Sequence, residues 1–154
     1  MTGVQTCALP IYEASQLPPI CKVVSTGNAD LHEARAIGIQ VAAGEYIVMA
    51  EDHCFPDAGW TEAVLQRLEQ GWDAIGSAMR PGNREDCWSE ASFLVGYGEW
   101  MIPLSGGPTN VLCGWNGTVR TALLRQFGDS LGSDRKSTRL NSSHIPLSRM
   151  PSSA

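Results

Sequence analysis

The sequence predicts an α/β fold with an open, mostly parallel sheet flanked by helices. Apolar segments rich in β-branched residues alternate along the chain with segments of helical periodicity, an order typical of such sheets. Glycine and proline stand between most of these segments, where turns are needed. The composition, 43% hydrophobic and 18% charged in 154 residues, is that of an ordinary globular domain.

The first three predicted elements are a strand, a helix and a strand. Residues 20–26 are rich in β-branched side chains and lead into a glycine turn. Asp30 can cap the following helix with Glu33 three residues on, as in a capping box, and Gly44 can end it. Residues 45–50 are almost continuously apolar, which favours a strand buried on both faces. This order predicts a βαβ unit with parallel strands.

The remaining elements follow from the same periodicity and glycine stops. Asp57 is interpreted as a helix N-cap rather than a ligand, and Trp60 as a core residue. In order, the elements are a helix opened by Pro56-Asp57 and closed by Gly71, a strand at 73–79, a helix within 88–101, a short strand at 111–113, and a last helix marked by Val119, Leu123 and Phe127.

Charge and composition divide the chain into three parts. An apolar head (1–12) precedes an acidic body (13–133), and a basic, serine-rich tail (134–154) follows. Head and tail resemble peptides that arise when sequencing-adapter DNA is translated. We therefore expect both ends to be non-native, the tail to be disordered, and the body to be an internal fragment of a longer protein. The alternative is a natural flexible tail and a short leader.

Composition also limits which binding partners and which cellular compartment are expected. The formal charge of −5 argues against a nucleic-acid partner. No apolar run approaches the ~18 residues that a membrane span needs. Five cysteines without a CxxC pair or zinc spacing indicate free thiols in a reducing compartment, so we expect a cytoplasmic location, with membrane association possible in a longer form.

The candidate chemistry is concentrated where the predicted strand 45–50 ends. Ligands of open α/β sheets bind beyond the carboxyl ends of the strands, and this strand runs into Glu51, Asp52, His53 and Cys54. On an extended backbone Glu51 and His53 would point to the same side and could share an ion. A carboxylate with an imidazole suits Mn²⁺, and Mg²⁺ less well. The alternatives are a polar loop in which Asp52 or His53 caps the next turn, and a zinc site of His53, Cys54 and a distant cysteine.

The residues around this cluster carry a family resemblance. The chain has Ala34-Arg35, then Gly38-Ile39, an Ala-x-Gly-Glu-Tyr-Ile strand, the acidic cluster, and Pro-x-x-Gly-Trp ending at residue 60. This order resembles family 2 glycosyltransferases of the GT-A fold over about residues 20–131. Residues 113–120 are similar to the family's Gly-x-Asn segment followed by an arginine. Ala36 replaces the usual Asn, and Glu51 and His53 stand at the Asp-x-Asp positions; an Asp-x-His version is found in the polypeptide N-acetylgalactosaminyltransferases, another GT-A group.

The resemblance implies a partial GT-A, Rossmann-like domain from an inverting enzyme. Such an enzyme transfers sugar from a nucleotide-diphosphate donor to an acceptor hydroxyl. A divalent ion, Mn²⁺ or Mg²⁺, would be bound by Glu51 and His53. The implied substrate-binding residues are Asp52 for the donor sugar or ribose, Arg35 for phosphate, and Trp115 and Asn116 near the sugar or acceptor. A surface salt bridge for Arg35 and core packing for Trp115 remain the alternatives.

No catalytic residue is assigned, because neither end matches the family's first strand or its catalytic carboxylate. We therefore expect the chain as it stands to have little activity alone. The competing hypothesis is a non-catalytic α/β nucleotide-binding or structural fragment. Dinucleotide and P-loop motifs are absent from the sequence, so those classes have no support.

Overall fold

The computed structural model describes residues 19–51, 54–82, 86–114 and 116–127, and the backbone of 139–141 and 147–149. In chain order the elements are α1 (Leu31–Val41), β1 (Tyr46–Met49), α2 (Trp60–Glu69), β2 (Ala74–Gly76), α3 (Cys87–Tyr97) with a 3-10 turn (Gly98–Trp100), β3 (Gly107–Thr109), β4 (Val111–Cys113), β5 (Gly117–Arg120), α4 (Thr121–Arg125), β6 (Arg139–Asn141) and β7 (Leu147–Arg149). Helices and strands are mixed along the chain, so the predicted α/β class is confirmed.

The chain forms two compact units. The first holds residues up to Phe55 together with 114–138, and the second holds 56–113 together with 139–154. The first unit therefore contains α1, β1, β5 and α4, and the second contains the other elements. In the described residues, no helix is long and apolar enough to cross a membrane.

Helix α1 begins as the sequence predicts. Asp30 Oδ1 accepts hydrogen bonds from the backbone N–H groups of His32 and Glu33, each 2.9 Å long. Glu33 Oε2 accepts in return from the Asp30 N–H at 3.1 Å, which completes the capping box. The helix ends at Val41, before the predicted stop at Gly44. At this end of the helix, the Arg125 guanidinium of α4 donates to the carbonyls of Gln40 and Ala42. A side chain from another element thus satisfies carbonyls that the predicted glycine cap would have satisfied.

The first unit is built on an antiparallel pair rather than on the predicted βαβ unit. Strand β1 pairs with β5, with Tyr46 opposite Arg120 and Met49 opposite Gly117. The predicted strand at 20–26 is wrong, because residues 21–26 have no regular structure and Ile20 and Val23 stay mostly exposed. β-branched composition gives a segment strand propensity but does not supply a pairing partner.

Two further predictions in this unit are corrected. Val119 lies in β5 and not in the last helix, which is limited to Thr121–Arg125. Strand β1 is not buried on both faces, because the Val48 side chain is 42% exposed. Ile39, Ala42, Val119 and Leu124 form the buried apolar side chains of this unit.

In the second unit, helix α2 packs against β2. Val64 and Leu68 are buried on the predicted face of α2, and Trp60 at its start donates from Nε1 to Ser77 Oγ at 2.9 Å. Gly71 closes the helix with a φ of 89°, as predicted. Asp57 is not the N-cap, since that position is Gly59 and the Asp57 carboxylate pairs with Arg80 instead.

Strand directions within the units differ from the prediction. The pairs β1–β5, β3–β7 and β4–β6 are antiparallel, and β2–β7 is parallel. The expectation of a mostly parallel sheet is therefore wrong for the pairs within the units. Periodicity identifies strands and helices, but strand direction depends on contacts between distant segments.

Two segments of the predicted tail take part in this pairing. Strands β6 and β7 lie within 134–154, which we expected to be disordered. For these six residues the structure departs from that expectation, because it pairs them with β2, β3 and β4. The rest of the tail, and the head, lie outside the described residues.

Candidate functional site

The candidate site is at the end of the β1–β5 pair where β1 finishes and β5 begins. Because the two strands are antiparallel, the carboxyl end of β1 lies beside the amino end of β5. Glu51 stands two residues beyond Met49, and Asn116 stands directly before Gly117. The strand pairing therefore brings these two candidate residues to the same edge of the first unit.

A backbone hydrogen bond lies just beyond β1. The Cys54 N–H donates to the carbonyl of Glu51 at 3.1 Å. Strand β1 already ends at Met49. The expectation that Glu51 and His53 point to the same side stays a prediction.

The candidate site residues differ in their burial and in whether the structure describes them. Glu51 and Asn116 are half-buried, and each has an interaction within the structure. Arg35 is half-buried in the second turn of α1, in the same compact unit. Asp52, His53 and Trp115 lie outside the described residues. Their predicted roles stay predictions, and so do those of the other three.

The chemistry of the donor set fits a divalent ion. Glu51, Asp52 and His53 offer carboxylate oxygens and an imidazole nitrogen in consecutive positions, and Mn²⁺ accepts both kinds of ligand. Among the residues that the structure describes, no group of three His, Cys, Asp or Glu side chains is close enough to hold a metal.

The opposite end of the same strand pair carries a polar cluster. Arg120 donates to Glu45 Oε1 at 2.9 Å, and its guanidinium lies 5.0 Å from the ring centroid of Tyr46. The Thr121 hydroxyl donates to the Gly44 carbonyl at 2.7 Å, and the Thr121 N–H donates to the Glu45 carbonyl at 2.9 Å. These contacts join the start of β1 to the end of β5.

Tyr46 stays uncharged beside this arginine. Its burial raises the pKa of the Tyr46 phenol above the ordinary value, and the hydrogen bond with Glu45 acts in the same direction against the opposing charge of Arg120. The contact between the guanidinium and the ring is therefore a cation–π interaction throughout the neutral pH range.

Comparison with known proteins identifies the family. The family model described as glycosyl transferase family 2 matches residues 8–127. The chain belongs to this family. The resemblance expected from the sequence is thereby confirmed, and family 2 domains have the GT-A, Rossmann-like architecture.

A curated relative extends the comparison. Polypeptide N-acetylgalactosaminyltransferase 12 of Mus musculus is 33% identical to the chain over 63 residues. These residues are 41% of this chain and 11% of the relative, so the chain matches only a small part of that protein's length. No solved structure matches the chain significantly.

Sequence reasoning missed the polar cluster of this family 2 domain. Glu45, Arg120 and Thr121 are distant in sequence, and only the antiparallel pairing of β1 with β5 brings them together. Arg120 follows the Gly-x-Asn segment and was visible as part of the family pattern. Its partner Glu45 was not identified, because a parallel sheet was expected.

Proposed function

We propose that the chain is the donor-binding part of a nucleotide-sugar-dependent glycosyltransferase that inverts the sugar it transfers to an acceptor hydroxyl. Membership of the family supports a glycosyltransferase. The observation that supports the location of the site is the antiparallel β1–β5 pair, which puts Glu51 and Asn116 at one edge. The cluster Glu51-Asp52-His53 is then the donor-diphosphate centre.

Each residue of the proposed site has a distinct task. Glu51 and His53 would hold Mn²⁺ or Mg²⁺, through a carboxylate oxygen and a neutral imidazole nitrogen. When bound, the ion neutralises charge on the leaving nucleoside diphosphate as a Lewis acid. Asp52 accepts hydrogen bonds from hydroxyls of the donor sugar or ribose. Arg35 contributes positive charge toward the phosphates.

The acceptor side of the proposed site lies at the start of β5. Asn116 has an amide that donates and accepts hydrogen bonds, which suits sugar hydroxyls. Trp115 offers a large apolar ring to the sugar or acceptor. A carboxylate base would deprotonate the acceptor hydroxyl, which attacks the anomeric carbon on the face opposite the diphosphate and inverts it. We assign that base to no residue of this chain, and we expect the chain alone to turn over little substrate.

Titration with Mn²⁺, with and without a nucleoside diphosphate, tests the donor centre. UDP and GDP serve as probes, and isothermal titration measures Kd. We expect weak Mn²⁺ binding that tightens when the diphosphate is present, because its oxygens complete the coordination. His53→Ala should weaken Mn²⁺ binding by about tenfold or more, comparable to or larger than the loss from outer-shell changes at metal sites.

Matched variants separate the proposal from nonspecific binding. His32→Ala removes another histidine of the chain, and Glu69→Gln removes another carboxylate, at the end of α2. Neither should change the Kd. Lowering the pH should weaken Mn²⁺ binding to the unaltered protein and have less effect on His53→Ala, because the imidazole must be neutral to bind. Equal affinities of the unaltered protein and His53→Ala would remove the ligand role of His53.

The competing hypothesis makes a different prediction. A non-catalytic nucleotide-binding fragment would bind UDP or GDP with the same affinity whether or not Mn²⁺ is present. A structural fragment would bind neither probe. Only mutual enhancement between metal and diphosphate supports the transferase centre.

A further inference from the structure

We propose that Arg120 and Thr121 are positioning residues that fix the register of β5 against β1. Through that register they set the location of Asn116 relative to the Glu51 end of β1. The consequence for the site rests on the proposed function, whereas the register itself does not. The residues of the two strands themselves define the register poorly.

The apolar pattern of β1 does not select one register. In a half-buried strand, alternation of apolar and polar side chains fixes the pairing, because a shift of one residue moves every side chain to the other face. The residues of β1 are Tyr46, Ile47, Val48 and Met49, all large and mostly apolar. In a shifted pairing, the apolar side chains on one face of the strand pair would be replaced by other apolar side chains of β1.

Burial of β5 is equally uninformative. Gly117, Thr118 and Val119 are all buried, although successive residues point to opposite faces. Neither face of this strand is set apart as the solvent side. Hydrophobic burial therefore favours the pairing of the two strands without specifying which residues are opposed.

The polar cluster supplies the missing information. Tyr46 is opposite Arg120 in the observed register, and the guanidinium lies over that ring. The bond from the Thr121 N–H to the Glu45 carbonyl is the next rung of the same ladder. A shift of one residue in either direction would break this rung and move Arg120 away from its ring partner.

The buried member of the cluster makes a shift costly. The Thr121 side chain is only 5% exposed, and its hydroxyl donates to the Gly44 carbonyl. A shifted strand would leave that buried hydroxyl without this acceptor, and a buried polar group that loses its partner destabilises the structure. The Arg120–Glu45 pair is more exposed and contributes little to stability, so its part is to discriminate between registers.

The register determines what lies beside Glu51. Counting on from Met49 opposite Gly117, the next opposed positions are Ala50 and Asn116. A shift of one residue would displace Asn116 by ~3.4 Å along the strand and turn its side chain to the other face. The contacts at one end of the strand pair thus position a candidate substrate residue at the other end.

Nuclear magnetic resonance of the whole chain tests the register directly. We expect cross-strand Overhauser contacts between Met49 and Gly117 in the unaltered protein. In the double variant Arg120→Ala, Thr121→Val, a second set of signals from 46–51 and 116–120 should appear at a population on the order of ten per cent. Its contacts should be displaced by one residue. Mn²⁺ should broaden the Asn116 amide signal less in the second set than in the first.

Matched variants make the result decisive. Arg80→Ala removes an arginine from another ion pair, with Asp57, in the second unit, and should leave a single register. Arg120→Lys keeps the charge and should give a smaller second population than Arg120→Ala. If the double variant does not fold, the single variant Thr121→Val is assayed in its place.

Two results would overturn the proposal: a single set of signals with the Met49–Gly117 contacts intact after removal of the cluster, or the same second set in Arg80→Ala. The Overhauser contacts need no metal, so this result is independent of the donor centre. If Mn²⁺ broadens no signal in the unaltered protein, the metal part of the proposed function fails and the register result stands.

Discussion

At the scale of single residues, the hydrogen bond between Trp60 and Ser77 offers the clearest test of the second unit. The indole Nε1 donates to Ser77 Oγ at 2.9 Å, and Ser77 is buried. Ser77→Ala should lower the free energy of unfolding by ~1–3 kcal/mol, because the indole N–H loses its acceptor while partly shielded from water. Urea denaturation measures this loss.

The matched comparison is the ion pair between Arg80 and Asp57 in the same unit. Both side chains are more than half exposed. Arg80→Ala should change the free energy of unfolding by no more than ~1 kcal/mol, because exposed pairs gain little in water. Adding Trp60→Phe to Ser77→Ala completes a double-mutant cycle. A coupling energy of zero would show that the hydrogen bond does not contribute to stability.

At the scale of elements, a close approach between two strands makes a larger residue unfavourable at Gly76 in β2. A Cβ atom at this position would lie 2.7 Å from Cδ2 of Leu112, which is fully buried in β4 and has little room to move. Gly76→Ala should therefore destabilise the protein by ~1–3 kcal/mol, as overpacked cores do. Thermal and urea unfolding both report the change.

A second glycine provides a control, at which alanine should stabilise the protein rather than destabilise it. Gly96 lies near the end of α3, and a Cβ atom there would meet nothing within 4 Å. Gly96→Ala should stabilise the protein by roughly 0.5 kcal/mol, because alanine restricts the unfolded chain and favours the helix. If both variants gained stability, Leu112 would be able to move aside and the tight contact would not be a constraint.

The helices and strands also show which structural features can be predicted from a sequence. The capping box of α1 and the glycine stop of α2 were predicted correctly, because each depends on residues within a few positions of one another. The antiparallel direction of β1 and the existence of the strand at 117–120 were not predicted. They depend on pairing between segments about 70 residues apart, which local periodicity does not encode.

At the scale of the whole molecule, the family was easier to predict than the architecture. The dense pattern between Ala34 and Trp60 was sufficient to identify family 2, and the family match confirms it. The same residues predicted a candidate cluster directly after the strand at 45–50, and β1 ends at Met49, two residues before Glu51. The metal-ligand roles predicted for Glu51 and His53 stay predictions.

Residues 134–154 contribute strands β6 and β7 to the second unit. Composition indicates a tail that does not fold, whereas the structure pairs β7 with β2 and β3, and β6 with β4. If these pairs form in solution, removing residues 134–154 exposes backbone groups of β2 and β4 that are otherwise hydrogen-bonded. Amide exchange at 74–76 and 111–113 should then accelerate by about tenfold or more, which corresponds to ~1.4 kcal/mol of lost local stability.

Exchange at the amides of α1 provides the internal reference, because their hydrogen bonds lie within the helix or its cap. A matched substitution, Leu147→Pro, should have a similar effect at 74–76 without shortening the chain, since proline removes an N–H and disfavours a strand that pairs on both sides. Unchanged exchange in both altered proteins would mean that β6 and β7 do not contribute to the fold. The expectation from composition would then be correct, and the folded part of this chain would lie within 13–133.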